Sequence, residues 1–178
     1  MINYTLFDTA IGWAGLAWSE RGLVGAHLPE RDRDTVRRSF LRRFPDAVEA
    51  PAPEGLWPVI NGIGALLRGE KADLSAARLD LDRVPAFNAQ VYAIARQIPP
   101  GETLTYGEIA TRLGDRLLAR DVGAALGQNP WPVIVPCHRV TAAGGKLGGF
   151  SARGGARTKL KLLAIEGAAA AAQAELFG

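Results

Sequence analysis

One cysteine, two histidines and the absence of any long apolar run limit what this chain of 178 residues can be. A lone cysteine excludes an internal disulfide, and Cys137 with His27 and His138 cannot by themselves complete a tetrahedral zinc site. No metal and no cofactor are expected. A stable free thiol fits a reducing cytoplasm. No stretch approaches the roughly 18 apolar residues of a membrane span, and Met1–Asp8 carries neither a basic lead nor an extended apolar segment, so neither a membrane partner nor secretion is expected. Aromatic residues are sparse, and the four tryptophans are too scattered to form a stacking platform. What is plentiful is hydrophobic: 48% of the residues, enough to bury the interior of one large domain or two small ones.

Charge is unevenly spread. Residues 1–84 hold 11 basic and 12 acidic side chains, a net −1, whereas residues 85–178 hold 10 and 6, a net +4. Between Thr111 and Lys161 nine basic side chains face only Asp115 and Asp121, and this stretch contains the cysteine. Such a field suits a polyanion such as nucleic acid; an ordinary solvated basic face fits the charge equally well.

The first half reads as a small α+β unit. Tyr4–Phe7, Gly15–Trp18 and Leu23–Leu28 have strand character, the last two joined by a turn at Ser19–Gly22, which predicts a meander. His27 falls in a strand and is read as structural or exposed. Val36, Phe40 and Phe44 recur every fourth residue in a helix over Arg31–Phe44. Pro45–Pro53, with three prolines, breaks the chain before a second amphipathic helix from Leu56 to Leu67 that stops at Gly69. A linker follows around Asp80–Pro85.

The second half reads as helices and loops. Val91, Ile94, Ala95 and Ile98 mark a helix over Asn88–Ile98, closed by Pro99-Pro100-Gly101. Thr105-Tyr106-Gly107-Glu108 has the form of a capping box, so a helix should begin at Tyr106 and end near Gly114. A third helix, about Arg116–Leu126, completes a pair that resembles a helix-turn-helix. Its Ala119, Gly123, Ala124 and Ala125 are small, with Arg120 among them. Small side chains permit close approach either of the protein's own core or of a DNA groove, into which Arg120 would protrude. The helix leads into Asn129–Val140, a proline-bracketed apolar run that sets Cys137 directly before His138.

Taken together these motifs resemble the O6-alkylguanine-DNA alkyltransferase family. The family's signature stands as Pro136-Cys137-His138-Arg139-Val140, preceded by Asn129-Pro130 and followed by Gly148-Gly149-Phe150-Ser151, Lys159 and Ile165-Glu166-Gly167. The resemblance covers about Pro85–Gly167 and is weak over residues 1–84. It implies an α+β protein in two parts. Residues 1–84 would be an N-terminal small sheet with helices, RNase H-like, and residues 85–178 a mostly helical DNA-binding domain with a helix-turn-helix, an active-site cysteine loop and an alanine-rich tail.

The activity implied is DNA repair: O6-alkylguanine, with O4-alkylthymine as a further candidate, is flipped from duplex DNA and its alkyl group moves irreversibly to Cys137. An alkyl carbon on oxygen is a poor electrophile, so a thiolate is required, while a free thiol of pKa near 8.5 is mostly protonated. By resemblance His138 is the base acting through a water, Glu166 orients it, and Tyr106 with groups near Ser151 stabilises the leaving purine. Arg120 fills the space of the flipped base, Ala119, Gly123 and Ala124 form the surface pressed against the minor groove, and Asn129 hinges the cysteine loop. Val140, Phe150 and Lys159 belong to the pocket and hinge. The partner implied is double-stranded DNA carrying alkylated guanine, met by a monomer.

Phe150 stands where many members have tyrosine, and Ala152–Gly155 lengthens a common loop. Arg139 is read as an internal ion-pair partner in preference to a phosphate contact, and Ala168–Ala174 as a loose helical tail. Two rivals remain distinct. A non-repairing lesion sensor of the alkyltransferase-like kind commonly has tryptophan at the cysteine position. A cysteine hydrolase would turn over, and normally has its Cys and His far apart in sequence.

Overall fold

The computed structural model describes residues 1–150 and 155–172. Strands β1 (Asn3–Thr9), β2 (Gly12–Ser19) and β3 (Gly22–Glu30) form the expected antiparallel meander. They are longer than the apolar runs suggest because glycines take the turn positions. Gly12 has φ +134°, and a Cβ there would lie 2.5 Å from the Glu30 carbonyl oxygen.

The sheet order is β3-β2-β1-β4. Strand β4 (Val48–Glu49) lies inside the segment that the three prolines mark as a break, and it runs parallel to β1. Val48 and Ala50 donate to the Ile2 and Tyr4 carbonyls, at 3.1 and 2.9 Å, in the gap between Pro45 and Pro51. Proline only limits which amides are available, and here the two needed ones belong to other residues.

Helix α1 (Arg33–Arg43) starts two residues later than its stripe suggests, because the Asp32 side chain accepts from the Thr35 amide at 2.9 Å. Val36 and Phe40 bury against Tyr4 and Ala17 on one face of the sheet. Gly15 makes this approach possible, since a Cβ there would meet the Phe40 ring at 2.5 Å. The other face, through Leu16, Leu23, Ala26 and Leu28, joins a core that continues into α2 (Trp57–Leu67), α3 (Ala86–Ala95), α4 (Tyr106–Arg112) and α5 (Ala119–Gly127).

Further helix boundaries depart from the sequence pattern. A 3-10 turn at Glu54–Leu56 precedes α2, and α3 opens at Ala86 with Pro85 as its cap. The Arg116–Leu118 turn is also 3-10, and α5 proper begins at Ala119. The capping box forms as expected: Thr105 Oγ1 accepts from the Glu108 amide at 3.1 Å while the Thr105 amide donates to the Glu108 carboxylate. Strands β5 (Leu104–Thr105) and β6 (Val140–Thr141) pair in parallel. Helix α6 (Ala156–Ile165) carries Lys159, and residues 169–172 add a helical turn whose Ala171, with Ala168 just before it, packs on Leu163. No helix among the described residues is long and apolar enough to cross a membrane.

Candidate active site

Cys137 occupies a 3-10 turn, Cys137–Arg139, in a segment with few free torsions. Asn129 fixes this segment by two bonds: its Nδ2 donates to the Val135 carbonyl at 2.8 Å, and its Oδ1 accepts from the Trp131 amide at 2.9 Å. Val133 is held at φ +75°, the one non-glycine residue with positive φ among those described. A β-branched residue in that region costs on the order of 1–3 kcal/mol, which the surrounding bonds must offset. The Trp131 indole donates to the Leu23 carbonyl at 2.9 Å, and the Ala26 amide donates to the Pro130 carbonyl at 2.9 Å. Both bonds attach the cysteine segment to the outer edge of β3, which also bridges at Leu23 to the Arg78–Asp80 stretch.

Tyr106 and Cys137 are brought into register by the β5–β6 pair, since Tyr106 follows β5 directly and Cys137–Arg139 immediately precede β6. A cavity of about 620 Å³ opens there, lined by Tyr106, Ala119, Arg120, Gly123, Cys137 and Phe150. Cys137 also borders a second cavity of about 550 Å³ on the β3 side, with His27, Arg43 and Asn129 in its wall. Ala124 is exposed on α5 outside both cavities, and Ser151 lies outside the described residues.

The small residues of α5 divide between two tasks. Ala125 is buried, and its carbonyl accepts from the Tyr92 hydroxyl at 2.6 Å, so that side of the helix packs closely on α3. On the other side a Cβ at Gly123 would meet the Tyr106 ring only at an ordinary 3.9 Å, and one at Gly127 would meet nothing within 4 Å. Internal packing therefore explains Ala125 and in part Ala119, which also packs against the core, and leaves the open face at Gly123 and Ala124 unexplained. Gly148 is different: with φ +78°, a Cβ there would fall 2.6 Å from the Tyr106 hydroxyl.

Behind the sulfur stands a buried ionic cluster. His138 Nε2 is 2.9 Å from Glu166 Oε1, which also accepts from Arg139 Nε at 3.0 Å; Glu166 Oε2 accepts from Arg139 Nη2 at 2.6 Å. The remaining guanidinium nitrogen, Nη1, donates to the Ile98 carbonyl at 2.7 Å. The internal ion pair expected of Arg139 is present. Burial would raise the Glu166 carboxyl, but hydrogen bonds and charge from His138 and Arg139 outweigh it and hold the group down at about 2. His138 Nδ1 is buried without a hydrogen-bond partner among the described residues.

Burial raises the Cys137 thiol above its ordinary value, opposed by a hydrogen bond from Asn129 and the charge of Lys159. Burial likewise lowers His138, against the pull of Glu166. Both shifts favour the uncharged resting forms, thiol and imidazole.

Lys159 is wholly buried. Its Nζ donates to the Val140 carbonyl at 2.5 Å, to Gly149 at 3.3 Å and to the Tyr106 hydroxyl at 3.4 Å; burial pushes it down to about 8. Sequence reading placed Lys159 in the pocket but missed its contact with Tyr106 and the helix that carries it. The apolar spacing of Leu160 and Leu163 in α6 was the available signal. It also missed the Trp131–Leu23 bond, which no local pattern encodes.

The 6-O-methylguanine DNA methyltransferase, DNA-binding-domain model matches residues 86–168. A methylated-DNA–protein-cysteine methyltransferase from Mycolicibacterium paratuberculosis is 36% identical over 177 residues, covering 99% of both chains. The mouse protein of that name is 31% identical over 93% of this chain and 82% of its own. Among solved structures, Mycobacterium tuberculosis O6-methylguanine methyltransferase superposes with a TM-score of 0.73 at 34% identity, covering 94% of this chain and 93% of that one. The M. tuberculosis OGT in complex with DNA gives a TM-score of 0.71 at 32% identity, over 97% of this chain and 98% of that one. A fold, a cysteine site and full-length similarity that agree in this way show that the chain belongs to the methylated-DNA–protein-cysteine methyltransferase family.

Proposed function

We propose that the protein repairs O6-alkylguanine in duplex DNA by moving the alkyl group to Sγ of Cys137, once per molecule. The observation that carries this reading is the single cavity shared by Cys137, Tyr106 and Arg120, backed by the His138–Glu166 pair. Glu166 accepts the Nε2 proton of neutral His138, which leaves the buried Nδ1 as the basic nitrogen. Through a bridging water, as the family resemblance implies, Nδ1 takes the thiol proton. The thiolate attacks the alkyl carbon, a sulfur–carbon bond forms, and the carbon–oxygen bond breaks with its electron pair passing to the purine. The departing guanine gains one proton, which balances the one removed from sulfur.

Tyr106 supplies the hydrogen bond that stabilises charge on the leaving purine, and Lys159 holds its hydroxyl and offsets the thiolate charge. This support requires the ammonium form, so it is present below about pH 8 and fades above it.

Incubation with duplex DNA containing O6-methylguanine is expected to add one methyl group per protein molecule, located on Cys137 by peptide mass. Release of more than one equivalent of product, as from a hydrolase, would exclude the reading.

The same proposal assigns α4 and α5 to a helix-turn-helix that docks in the minor groove, with Arg120 in the space of the extruded base. The open small-residue face of α5 supports it. Arg120→Ala is expected to slow repair of duplex DNA by about tenfold or more relative to attack on free benzylguanine, because unstacking a base costs a few kcal/mol. Equal losses on the two substrates would remove the flipping role.

We further propose that residues 1–84 support a reactive unit of residues 85–178. The sheet order, with β4 parallel to β1, favours the RNase H-like description. The protein would act as a monomer in the cytoplasm.

A further inference from the structure

Leu117 is 88% exposed, which no other large apolar side chain among the described residues exceeds save Met1. Its position is fixed. The Leu117 amide donates to Asp115 Oδ1 at 2.9 Å and the Leu118 amide to the Asp115 carbonyl at 3.0 Å, in a turn entered through Gly114 at φ +102°. Leu118 takes the inward position and packs against the core, so folding does not require an apolar side chain at 117. Leu117 precedes Arg120 by one helical turn. With Ala124 the three follow the i, i+3, i+7 spacing of one exposed helix face, while Val122, Ala125 and Leu126 fill the opposite one.

We propose that Leu117 is a second insertion residue, an apolar wedge that enters the minor groove and presses on a base step beside the one opened by Arg120. The inference rests on the duplex-docking reading above. The occupant follows from the surroundings. Arg112, Arg116 and Arg120 are all exposed around this turn and suit phosphates on both sides of a groove. A single leucine ringed by guanidinium groups is too small an apolar patch for a stable protein interface, which needs about 1,200 Å² or more. Inserted apolar wedges are a general means of unstacking and kinking duplex DNA from the minor groove. Two insertions a helical turn apart would divide the distortion that a lone arginine would otherwise have to hold.

The test compares Leu117→Ala, Leu117→Met and Arg120→Ala on three substrates: duplex DNA with O6-methylguanine, the same strand unpaired, and free benzylguanine. Leu117→Ala is expected to lower the second-order rate constant on the duplex by about tenfold more than on free base, with Leu117→Met restoring most of it. A 2-aminopurine placed in the adjacent step should brighten on binding of the parent protein and stay dim with Leu117→Ala. An unchanged duplex rate and unchanged fluorescence, with Arg120→Ala still impaired, would overturn the wedge and leave duplex docking standing. If Arg120→Ala were also unimpaired on the duplex, the docking reading itself would fail. A concentration-dependent dimer abolished by Leu117→Ala would replace DNA with a second copy of the chain as the occupant.

Discussion

Cys137→Ala is expected to abolish alkyl transfer altogether, with no gain in protein mass after incubation with methylguanine DNA, while affinity for the lesion stays within a few-fold of the parent. Cys137 is the chain's sole thiol, so no neighbouring sulfur can replace it. Removing one small, nearly buried atom should cost only about 1 kcal/mol of stability, at the low end of large-to-small core changes. Its backbone bonds remain: the Cys137 amide still donates to the Val135 carbonyl at 2.8 Å, and the Asn129 bonds to Val135 and Trp131 stay in place although its bond to the thiol is lost. Retained transfer in this variant would refute Cys137 as acceptor, and loss of lesion affinity together with transfer would show that the substitution had disturbed the cavity. Mass spectrometry and fluorescence anisotropy read the two effects separately.

The second large effect belongs to Glu166→Gln. The carboxylate accepts from His138 Nε2 and twice from Arg139, with both partners almost fully buried. Glutamine keeps the shape, but its amide nitrogen would face a donor, and Arg139 would be left as a buried cation without an anion. Breaking a buried pair from one side costs about 3–5 kcal/mol. Alkylation of free benzylguanine is expected to slow, and the pH at which the thiol becomes reactive should rise, because His138 loses the anion that stabilises its protonated form.

The stability effect depends on pH with a definite sign. The Glu166 pKa is lowered from 4.5 in the unfolded chain to about 2 in the folded one, so the carboxylate's contribution is fully present above about pH 4.5 and is lost as pH falls toward 2. Chemical denaturation should therefore show the parent's advantage over Glu166→Gln shrinking across that window. A constant difference from pH 7 to pH 2, or an unchanged pH–rate profile, would exclude the arrangement.

The elements legible in the sequence are those whose signal is local. The capping box at Thr105 and Glu108 predicts the start of α4 to the residue, because both halves of the motif lie within four positions. The Val36 and Phe40 stripe of α1 and the adjacency of Cys137 and His138 are legible for the same reason. Strand β4 is not: its two residues are exposed, and it exists only because β1, more than forty positions earlier, offers the Ile2 and Tyr4 carbonyls. Family resemblance supplied the link from His138 to Glu166, which spacing alone could not. The bidentate grip of Arg139 on the same carboxylate, the approach of Lys159 to Tyr106, and a cavity on each side of the sulfur arise from three-dimensional closure. The different tasks of Ala125 and Gly123 likewise become separable only when their neighbours are known.

The indole of Trp131 grips a strand more than a hundred positions earlier in the chain. Anything that shifts the outer strand at Leu23, including a change in the Ser19–Gly22 turn that precedes it, pulls on the short rigid stretch ending at the sulfur. Mutations remote from the groove and the proton relay thus have a mechanical route to the chemistry, through a strand that supplies no group to the relay itself.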